Sequence, residues 1–320
     1  MAINNDLYRA LGPLEEERLA TNFKVKIWVG VILLITAGAA MYLHSVHSTG
    51  GMVMVFIVGL IGAAWTANYL LGPVKAAFKQ QVLPLLLEDI DPSLYYDDTG
   101  SIGEDEFIAA DLFCRPDVFS GKDLIEGSIG ETQIKFSLVN AQEKREETST
   151  DSDGKTTTQT TYVTIFSGLF FVADFNKHFA GRTLVKSEAL NFFTKLLGSP
   201  VILEDPQFNE MFTVSSTDQV EARYIMTPSL MEKFKLLHSK VGQFRACFFR
   251  GHLIMAINMP QDSFEPSMRK SLRDSEQIHK ISANLKMITG LVEDLGLNVR
   301  IWGPKTGSQR QEPFAATIPL

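Results

Sequence analysis

The sequence predicts an α+β protein: an N-terminal transmembrane helical hairpin, then a cytoplasmic domain of mostly antiparallel strands with interspersed helices and a long C-terminal amphipathic helix. Three observations carry this prediction. Two segments near the N-terminus lack Asp, Glu, Lys and Arg. Residues 125–142 alternate as paired strands do, and 160–175 are rich in β-branched and aromatic residues. A helical period returns at 263–295. Strands joined mainly by hairpins, with helices between them, are typical of α+β domains.

The membrane hairpin is predicted over residues 27–72. Residues 27–46 and 52–72 are uncharged, and only HSTGG separates them. A helix of about 20 residues spans roughly 30 Å, the thickness of a bilayer core. The two segments therefore predict a tight helical hairpin, and the lipid bilayer is the first partner that the sequence implies.

Positively charged residues predict the orientation of this hairpin. The connecting turn carries no Lys or Arg, whereas cations flank both outer ends. They are Arg9, Arg18, Lys24, Lys26, Lys75 and Lys79. By the positive-inside rule, both ends of the hairpin and both chain termini are expected in the cytoplasm.

Small residues recur every four positions in the second apolar segment. Gly59, Ala63 and Ala67 share one helix face, and small residues let two membrane helices approach closely. We interpret this as a helix-contact face, with self-association of the chain as one hypothesis.

The remaining chain divides into further segments. Residues 1–26 form a cytoplasmic N-terminal segment, 73–91 a helical stalk that Pro84 is expected to kink or interrupt, 92–302 the cytoplasmic domain, and 303–320 a C-terminal tail. Residues 147–161 are rich in Ser and Thr and predict a flexible loop or solvated hairpin tip.

Within the cytoplasmic domain, helices and strands are predicted from period and turn residues. Helices are expected at 104–113, 187–198, 227–242 and 263–295, and strands at 125–142, 160–175, 181–188, 243–259 and 298–303. Tight turns are predicted at Gly130-Glu131 and Arg250-Gly251. A barrel closed by the C-terminal helix, as in pleckstrin-homology-like folds, is an alternative arrangement of these strands.

Composition argues against several function classes. The net charge of −7 and the lack of a basic stripe give no support to nucleic-acid binding. Two cysteines, Cys114 and Cys247, and six scattered histidines predict reduced thiols and no metal site. We find no nucleophile elbow, phosphate-binding loop or zinc-protease motif, so no catalytic residue and no cofactor is assigned, and we lean away from an enzyme.

One polar cluster is the main candidate site. Asp218, Glu221, Arg223 and Tyr224 lie between two apolar runs. In the structural interpretation Asp218 caps a turn and Arg223 pairs with a carboxylate at the domain edge. In the catalytic interpretation Glu221 is a base and Arg223 clamps an anion, the two sharing one face of a strand.

A phenylalanine-rich segment is the second candidate. Its members are Phe166, Phe170, Phe171, Phe175 and Phe179. They are expected on both faces of one strand, where they line a lipid or ligand pocket or, in the simpler interpretation, pack in the core.

Two motifs, FSGLFFVADFNKHFAGRTLV at 166–185 and FTVSSTDQVEARYIMTPSLMEKF at 212–234, follow the predicted membrane hairpin. With that placement, residues 75–300 resemble an uncharacterised bacterial family of membrane-associated proteins that carry a domain of unknown function. Ser167 departs from the basic residue expected before the Gly. The resemblance implies a bacterial cytoplasmic (inner) membrane location and, because such genes often lie near those of LemA-type membrane proteins, a LemA-like partner.

Together these patterns predict a membrane-anchored cytoplasmic interaction or scaffold module that binds a membrane protein partner or itself as a homo-oligomer. The alternatives are a membrane-surface enzyme using Glu221 and Arg223, and a lipid or small-ligand sensor using the phenylalanine-rich sheet.

Overall fold

The structure is a computed structural model that describes residues 5–46, 49–150, 156–175, 177, 179–187 and 198–297. It confirms the α+β class, with two long apolar helices followed by an antiparallel sheet, interspersed helices and a C-terminal helix. The predicted helix at 187–198, strand at 298–303 and tail at 303–320 fall largely or wholly outside the described residues. The chain divides into two compact units, Met1–Asp89 with Phe264–Asn284, and Ile90–Ser263 with Leu285–Leu320.

The first unit is built on two long helices. Helix α1 spans Asn5–Ser45 and α2 spans Thr49–Glu88, and both are long and apolar enough to cross a membrane. Each runs on without a break beyond its predicted span, so the N-terminal segment and the stalk are continuations of the two helices. Of the two effects predicted for Pro84, a kink or an interruption, the interruption is wrong: α2 continues through this residue, and the nearby Leu83 and Leu86 are buried. Apolar burial on both sides therefore outweighs the one backbone hydrogen bond that a proline removes.

The predicted helix-contact face packs against α1 of the same chain. A side-chain carbon added at Gly59 would lie 2.3 Å from Thr36 Oγ1, which is closer than atoms can approach. Ala63 is buried and Ala67 half-buried on the same side of α2. Glycine at position 59 therefore sets how closely the two helices pack.

The second unit holds one nine-stranded antiparallel sheet in the order β1-β2-β3-β4-β9-β8-β5-β7-β6. The strands are β1 Tyr95–Asp97, β2 Val118–Ile129, β3 Thr132–Thr150, β4 Thr156–Asp174, β5 Arg182–Lys186, β6 Ser199–Pro200, β7 Thr213–Ser216, β8 Phe244–Phe249 and β9 His252–Asn258. Among the described strands no pairing joins β1 to β6, so the sheet is open and does not form the barrel considered as an alternative.

Both predicted hairpin turns are confirmed. Arg250 and Gly251 join β8 to β9 with φ of 49° and 77°, and Gly130 joins β2 to β3 with φ of 61°. Two successive positive φ values are typical of the turn that matches the right-handed twist of a two-residue hairpin.

Strand pairing continues far into the segment predicted as a flexible loop or solvated hairpin tip, and of these two alternatives the hairpin is the one observed. Strands β3 and β4 pair as far as Thr150 with Thr156, so only residues 151–155 of the predicted loop 147–161 lie outside the described pairing. The loop was predicted because this segment is polar. Its many threonines are β-branched, and such side chains fit a paired strand well whether or not they are buried.

The described residues also form six shorter helices. They are α3 Glu104–Ala109, α4 Pro206–Met211, α5 Gln219–Ile225, α6 Pro228–Val241, α7 Ser275–Thr289 and α8 Leu291–Asp294. The C-terminal helix begins at Ser275 rather than at residue 263, and α8 follows it after Gly290. Pro260 and Pro266 disfavour helix over the first part of the predicted range.

Candidate functional site

The predicted polar cluster lies on helix α5 and the residue before it. Asp218 caps this helix: its Oδ1 accepts hydrogen bonds from the amides of Val220 at 2.7 Å and Glu221 at 3.1 Å. Residues 219–225 are therefore helical, and the strand assumed for Glu221 and Arg223 is wrong. Two residues apart on a helix, these side chains project in different directions rather than from one shared face.

Glu221 is bound to the backbone that enters β5. Its Oε1 accepts a hydrogen bond of 3.0 Å from the amide of Ala180, and its Oε2 one of 2.7 Å from the amide of Gly181. The next amide, that of Arg182, donates to Thr217 Oγ1 at 2.9 Å. Three consecutive amides, 180–182, are thus held by two side chains: Thr217, between β7 and α5, and Glu221, on α5. We call this arrangement the amide clamp.

Arg223 also contacts backbone. Its guanidinium donates to the carbonyl oxygens of Gln219 at 3.2 Å and Ile202 at 3.4 Å. The predicted carboxylate partner is thus replaced, in these described contacts, by two carbonyl oxygens. The bond to Gln219 lies within α5, and the bond to Ile202 joins α5 to the segment before β7, which agrees with a structural role for this residue.

Tyr224 is held by a lysine that the sequence analysis did not single out. Lys177 Nζ donates to the carbonyl oxygen of Tyr224 at 2.7 Å and lies 4.5 Å from the centre of its ring. Burial lowers the pKa of Lys177 below its ordinary value. Position 177 lies inside the first family-like motif, so the two motifs quoted from the sequence meet in space at this cluster.

The phenylalanine segment is core. The ring of Phe107 on α3 lies 6.1 Å from that of Phe166 and 5.3 Å from that of Phe170, centre to centre. Phe171 lies 6.2 Å from Phe136 in the neighbouring strand. The two ends of the segment, Phe175 and Phe179, both contact Phe248. All five predicted members are buried. Mutual ring contacts of this kind favour the packing interpretation over a ligand pocket.

Two arginines that the sequence does not indicate contact the end of α3 and the residues directly after it. Arg182 donates to the carbonyl oxygen of Ala109 at 2.8 Å and pairs with Asp111 at 3.3 Å, and Arg245 donates to the carbonyl oxygen of Leu112 at 2.8 Å. Cations at the C-terminal end of a helix satisfy its last carbonyl oxygens. No local sequence signal indicates them, since their targets lie 73 and 133 positions away.

A second polar cluster lies in the unit that contains the long helices. Glu15 and Arg18 form a buried pair on α1 at 2.8 Å, and Arg18 also donates to the carbonyl oxygen of Met268 at 2.9 Å. Glu15 accepts from the amide of Leu272 at 2.8 Å. The hydrogen bond from Arg18 is the chief reason that the pKa of Glu15 falls from 4.5 to about 2.

Helix α2 reaches the same segment through lysines. Lys75 and Lys79 pair with Glu265 at 3.0 and 3.2 Å. Residues 264–272 are therefore bound to the polar ends of both long helices. We call this set of contacts the helix staple.

The remaining chemistry of the described residues gives no further candidate. No group of three or more His, Cys, Asp or Glu side chains in the described part of the chain is arranged to hold a metal ion. Cys114 is exposed, and burial raises the pKa of Cys247 to about 12.

Comparison with known families places the polar cluster inside a recognised domain. Residues 164–297 match a family described as "Protein of unknown function (DUF3137)". This confirms that the chain carries a domain of unknown function, as the resemblance implied. Both motifs, the amide clamp and strands β5–β9 fall within the matched range.

Two further comparisons add little. No curated protein matches the chain. The crystal structure of the mycobacterial trehalose monomycolate transport factor A, TtfA, is similar over 66% of this chain and 92% of that chain, with 8% sequence identity and a TM-score of 0.34. That score is too low to indicate a shared fold.

Proposed function

We propose that this protein is a membrane-anchored interaction module, non-enzymatic, whose cytoplasmic α+β domain binds a membrane protein partner, itself, or both. The anchor is the α1–α2 hairpin in a bacterial cytoplasmic membrane. A LemA-type membrane protein remains the partner that the family resemblance suggests.

The exposure of apolar side chains on α1 and α2 is the main support for a membrane anchor. Large apolar side chains between residues 27 and 69 of the two helices point outward, among them Leu34 at 75%, Met41 at 76% and Trp65 at 68% exposed. Farther from the turn, by contrast, several apolar side chains of the same helices are buried, among them Leu11, Leu14 and Phe78. An exposed apolar band of this size suits lipid rather than water, since soluble proteins rarely expose continuous apolar surface.

The helix staple supports the proposed orientation. Glu265 and Met268 contact the charged ends of α1 and α2, so they lie on the same side of a membrane as those ends. In the part of the chain that the structure describes, α1 and α2 are the helices long and apolar enough to span. The intervening sheet is thus expected on that same side, which the flanking cations assign to the cytoplasm.

The amide clamp argues against Glu221 as a catalytic base. A general base must reach a substrate proton, whereas both carboxylate oxygens of Glu221 accept backbone amides within 3.0 Å. The polar cluster therefore acts as a fastening within the domain.

Cysteine labelling tests the orientation. A Gly50→Cys variant in a Cys114→Ser background carries its thiol at the proposed outer turn, where nothing lies within 4 Å of the added carbon. A membrane-impermeant maleimide should label this variant in intact spheroplasts. The native Cys114 of the wild-type chain should be labelled only after the membrane is opened. The opposite pattern would contradict the proposed topology.

Affinity isolation from native membranes in mild detergent tests the interaction role. We expect a complex of fixed stoichiometry, and a Glu221→Gln plus Arg223→Lys variant that still folds should retain it. If that folded variant instead abolished the turnover of a membrane-derived substrate, the enzyme hypothesis would replace the proposal.

A further inference from the structure

The long hairpin β3–β4 extends beyond the rest of the sheet. Strand β2 pairs with β3 only as far as Val118 with Gln142, and β9 pairs with β4 only from Gly168 onward. In the described chain, Glu143–Thr150 and Thr156–Val163 pair with each other alone. We call this two-stranded ribbon the arm. At about 3.4 Å per residue its eight pairs extend over 25 Å or so.

The two edges of the arm differ in charge. In the part of β3 that belongs to the arm, five charged residues follow one another, Glu143–Glu147. Residues 156–164 of β4, TTTQTTYVT, carry no charge and no proline. Charges and prolines are the usual means by which proteins prevent edge strands from pairing with other chains, so the β3 edge is protected and the β4 edge is not.

The two edges of the arm also differ in how their outward backbone groups are hydrogen-bonded. On the β3 side, the carboxylate of Asp117 accepts the amide of Lys144 at 2.7 Å. On the β4 side, the amide of Gln261 donates to Ser167 Oγ at 3.2 Å, at the point where β9 has ended. Beyond Ser167 toward the tip, the described residues show β3 on one side of β4 and no strand on its other side.

The capped amide of Lys144 also fixes which backbone groups of β4 face outward. Since its N–H points away from β4, the pair of Lys144 with Tyr162 is one of the non-hydrogen-bonded pairs of the ladder. The N–H and C=O groups of Tyr162 therefore point to the open edge. Alternation along the strand gives the same direction to Thr156, Thr158, Thr160 and Thr164.

We propose that the open edge of β4, Thr156–Thr164, pairs antiparallel with the same edge of a second copy of this chain about a twofold axis at Thr160. This pairing matches every outward group: Thr160 pairs with itself, Thr158 with Tyr162, and Thr156 with Thr164. About ten intermolecular backbone hydrogen bonds result, and a β-branched residue faces Tyr162, a favourable cross-strand pair.

The absence of charge on this edge is what favours a second copy as occupant. A twofold axis places each residue near its own equivalent, so any charge near the centre would face a like charge. Tyr162, the one aromatic residue of the edge, is 53% exposed in the single chain. In the proposed dimer the neighbouring chain would bury part of its ring. This inference rests on the proposed interaction role and names the surface for its self-association.

Two matched proline variants of the full chain in mild detergent test the surface. Thr160→Pro removes an outward N–H from the proposed interface, and Thr148→Pro is expected to remove one from the opposite edge of the same arm, since position 148 alternates with Lys144. Both positions lie in non-hydrogen-bonded pairs of the β3–β4 ladder, so neither proline breaks a backbone hydrogen bond within the arm. In sedimentation, Thr160→Pro should weaken the dimer roughly tenfold or more, because two hydrogen bonds are lost at the centre, while Thr148→Pro leaves it unchanged.

A cysteine scan in membranes tests the register. In a Cys114→Ser background, single cysteines at positions 157–163 should form disulfide dimers with a maximum at 160, where the paired Cα atoms would lie about 5.5 Å apart.

Dimers that persist in Thr160→Pro and show no maximum at 160 would overturn this interface while retaining self-association through another surface. A chain that is monomeric and captures only a different protein would overturn homotypic pairing and keep the interaction role. A chain that captures nothing would overturn both.

Discussion

Arg18 donates a hydrogen bond of 2.9 Å to the carbonyl oxygen of Met268, 250 positions later in the chain. The same guanidinium pairs with Glu15, whose carboxylate accepts the amide of Leu272. Charged side chains buried together are costly unless each is fully hydrogen-bonded, and here each meets both a charged partner and backbone. The anchor helix and a segment distant in sequence are therefore fastened by one compact network.

Removing Arg18 should loosen this fastening. An Arg18→Met variant leaves the carboxylate of Glu15, which is 12% exposed, without its cationic partner. We expect a loss of about 3 kcal/mol in the free energy of unfolding, as for other broken buried pairs. Thermal unfolding in detergent measures this, with Lys24→Ala as a control because Lys24 is exposed on the same helix. Equal melting temperatures for the two variants would show that the contact contributes little.

Acid should weaken the same network. The pKa of Glu15 is lowered from 4.5 to about 2, so its stabilising effect is fully present above pH 4.5 and is lost as the pH falls toward 2. The wild type should therefore lose more stability than Glu15→Gln between pH 5 and pH 2.5. Melting curves of both proteins across that interval provide the measurement. Parallel curves would argue that Glu15 titrates normally.

Close packing of the hairpin predicts a position-specific effect of size. Gly59→Leu places atoms where Thr36 lies and should separate the two helices, costing about 1–3 kcal/mol. Gly62→Leu, one turn along the same helix, meets nothing within 4 Å and should be tolerated. The melting temperatures of the two detergent-solubilised variants distinguish these cases, and similar values would refute the described helix contact.

The amide clamp predicts a structural phenotype for its carboxylate. Glu221→Ala leaves the amides of Ala180 and Gly181 without their acceptors and should cost about 2–3 kcal/mol. Glu221→Gln, which keeps one acceptor oxygen, should lie between this variant and the wild type. The nearby Val220→Ala is a suitable control, since Val220 is 78% exposed. Chemical unfolding of the three variants gives the comparison. Unchanged stability with altered function would instead favour a chemical role for Glu221.

The two cysteines should differ in reactivity. Cys114 is exposed, whereas burial raises the pKa of Cys247 to about 12, so little thiolate forms there at pH 8. A thiol reagent should modify one group per folded chain and two after denaturation. Two fast-reacting thiols in the native protein would contradict the described burial of Cys247.

The sequence predicted what depends on local pattern. Uncharged apolar segments located both long helices, and turn residues such as Arg250-Gly251 located hairpins, because φ preferences act within a few residues. Gly242 likewise marks the end of α6, and of the two residues that the sequence offers for its start, Thr227 and Ser229, Thr227 is the cap. Such signals require no knowledge of distant partners.

It failed where distant contacts decide. The strand assumed around Glu221 is a helix, since Asp218 caps it and Glu221 finds its partners 40 positions earlier. Pro84 does not interrupt α2, because burial of its neighbours overrides the local penalty. Lys177 was missed because its partner lies 47 positions away. Local patterns carry no information about contacts at such separations.

Native mass spectrometry of the full chain, extracted from its own membrane in mild detergent, tests the central proposal most directly. The proposal predicts a complex of fixed stoichiometry, either a homo-oligomer or the chain with one membrane protein. It also predicts that the complex survives in the folded Glu221→Gln variant. A monomer that carries no protein, at the concentration found in the membrane, would contradict the interaction role.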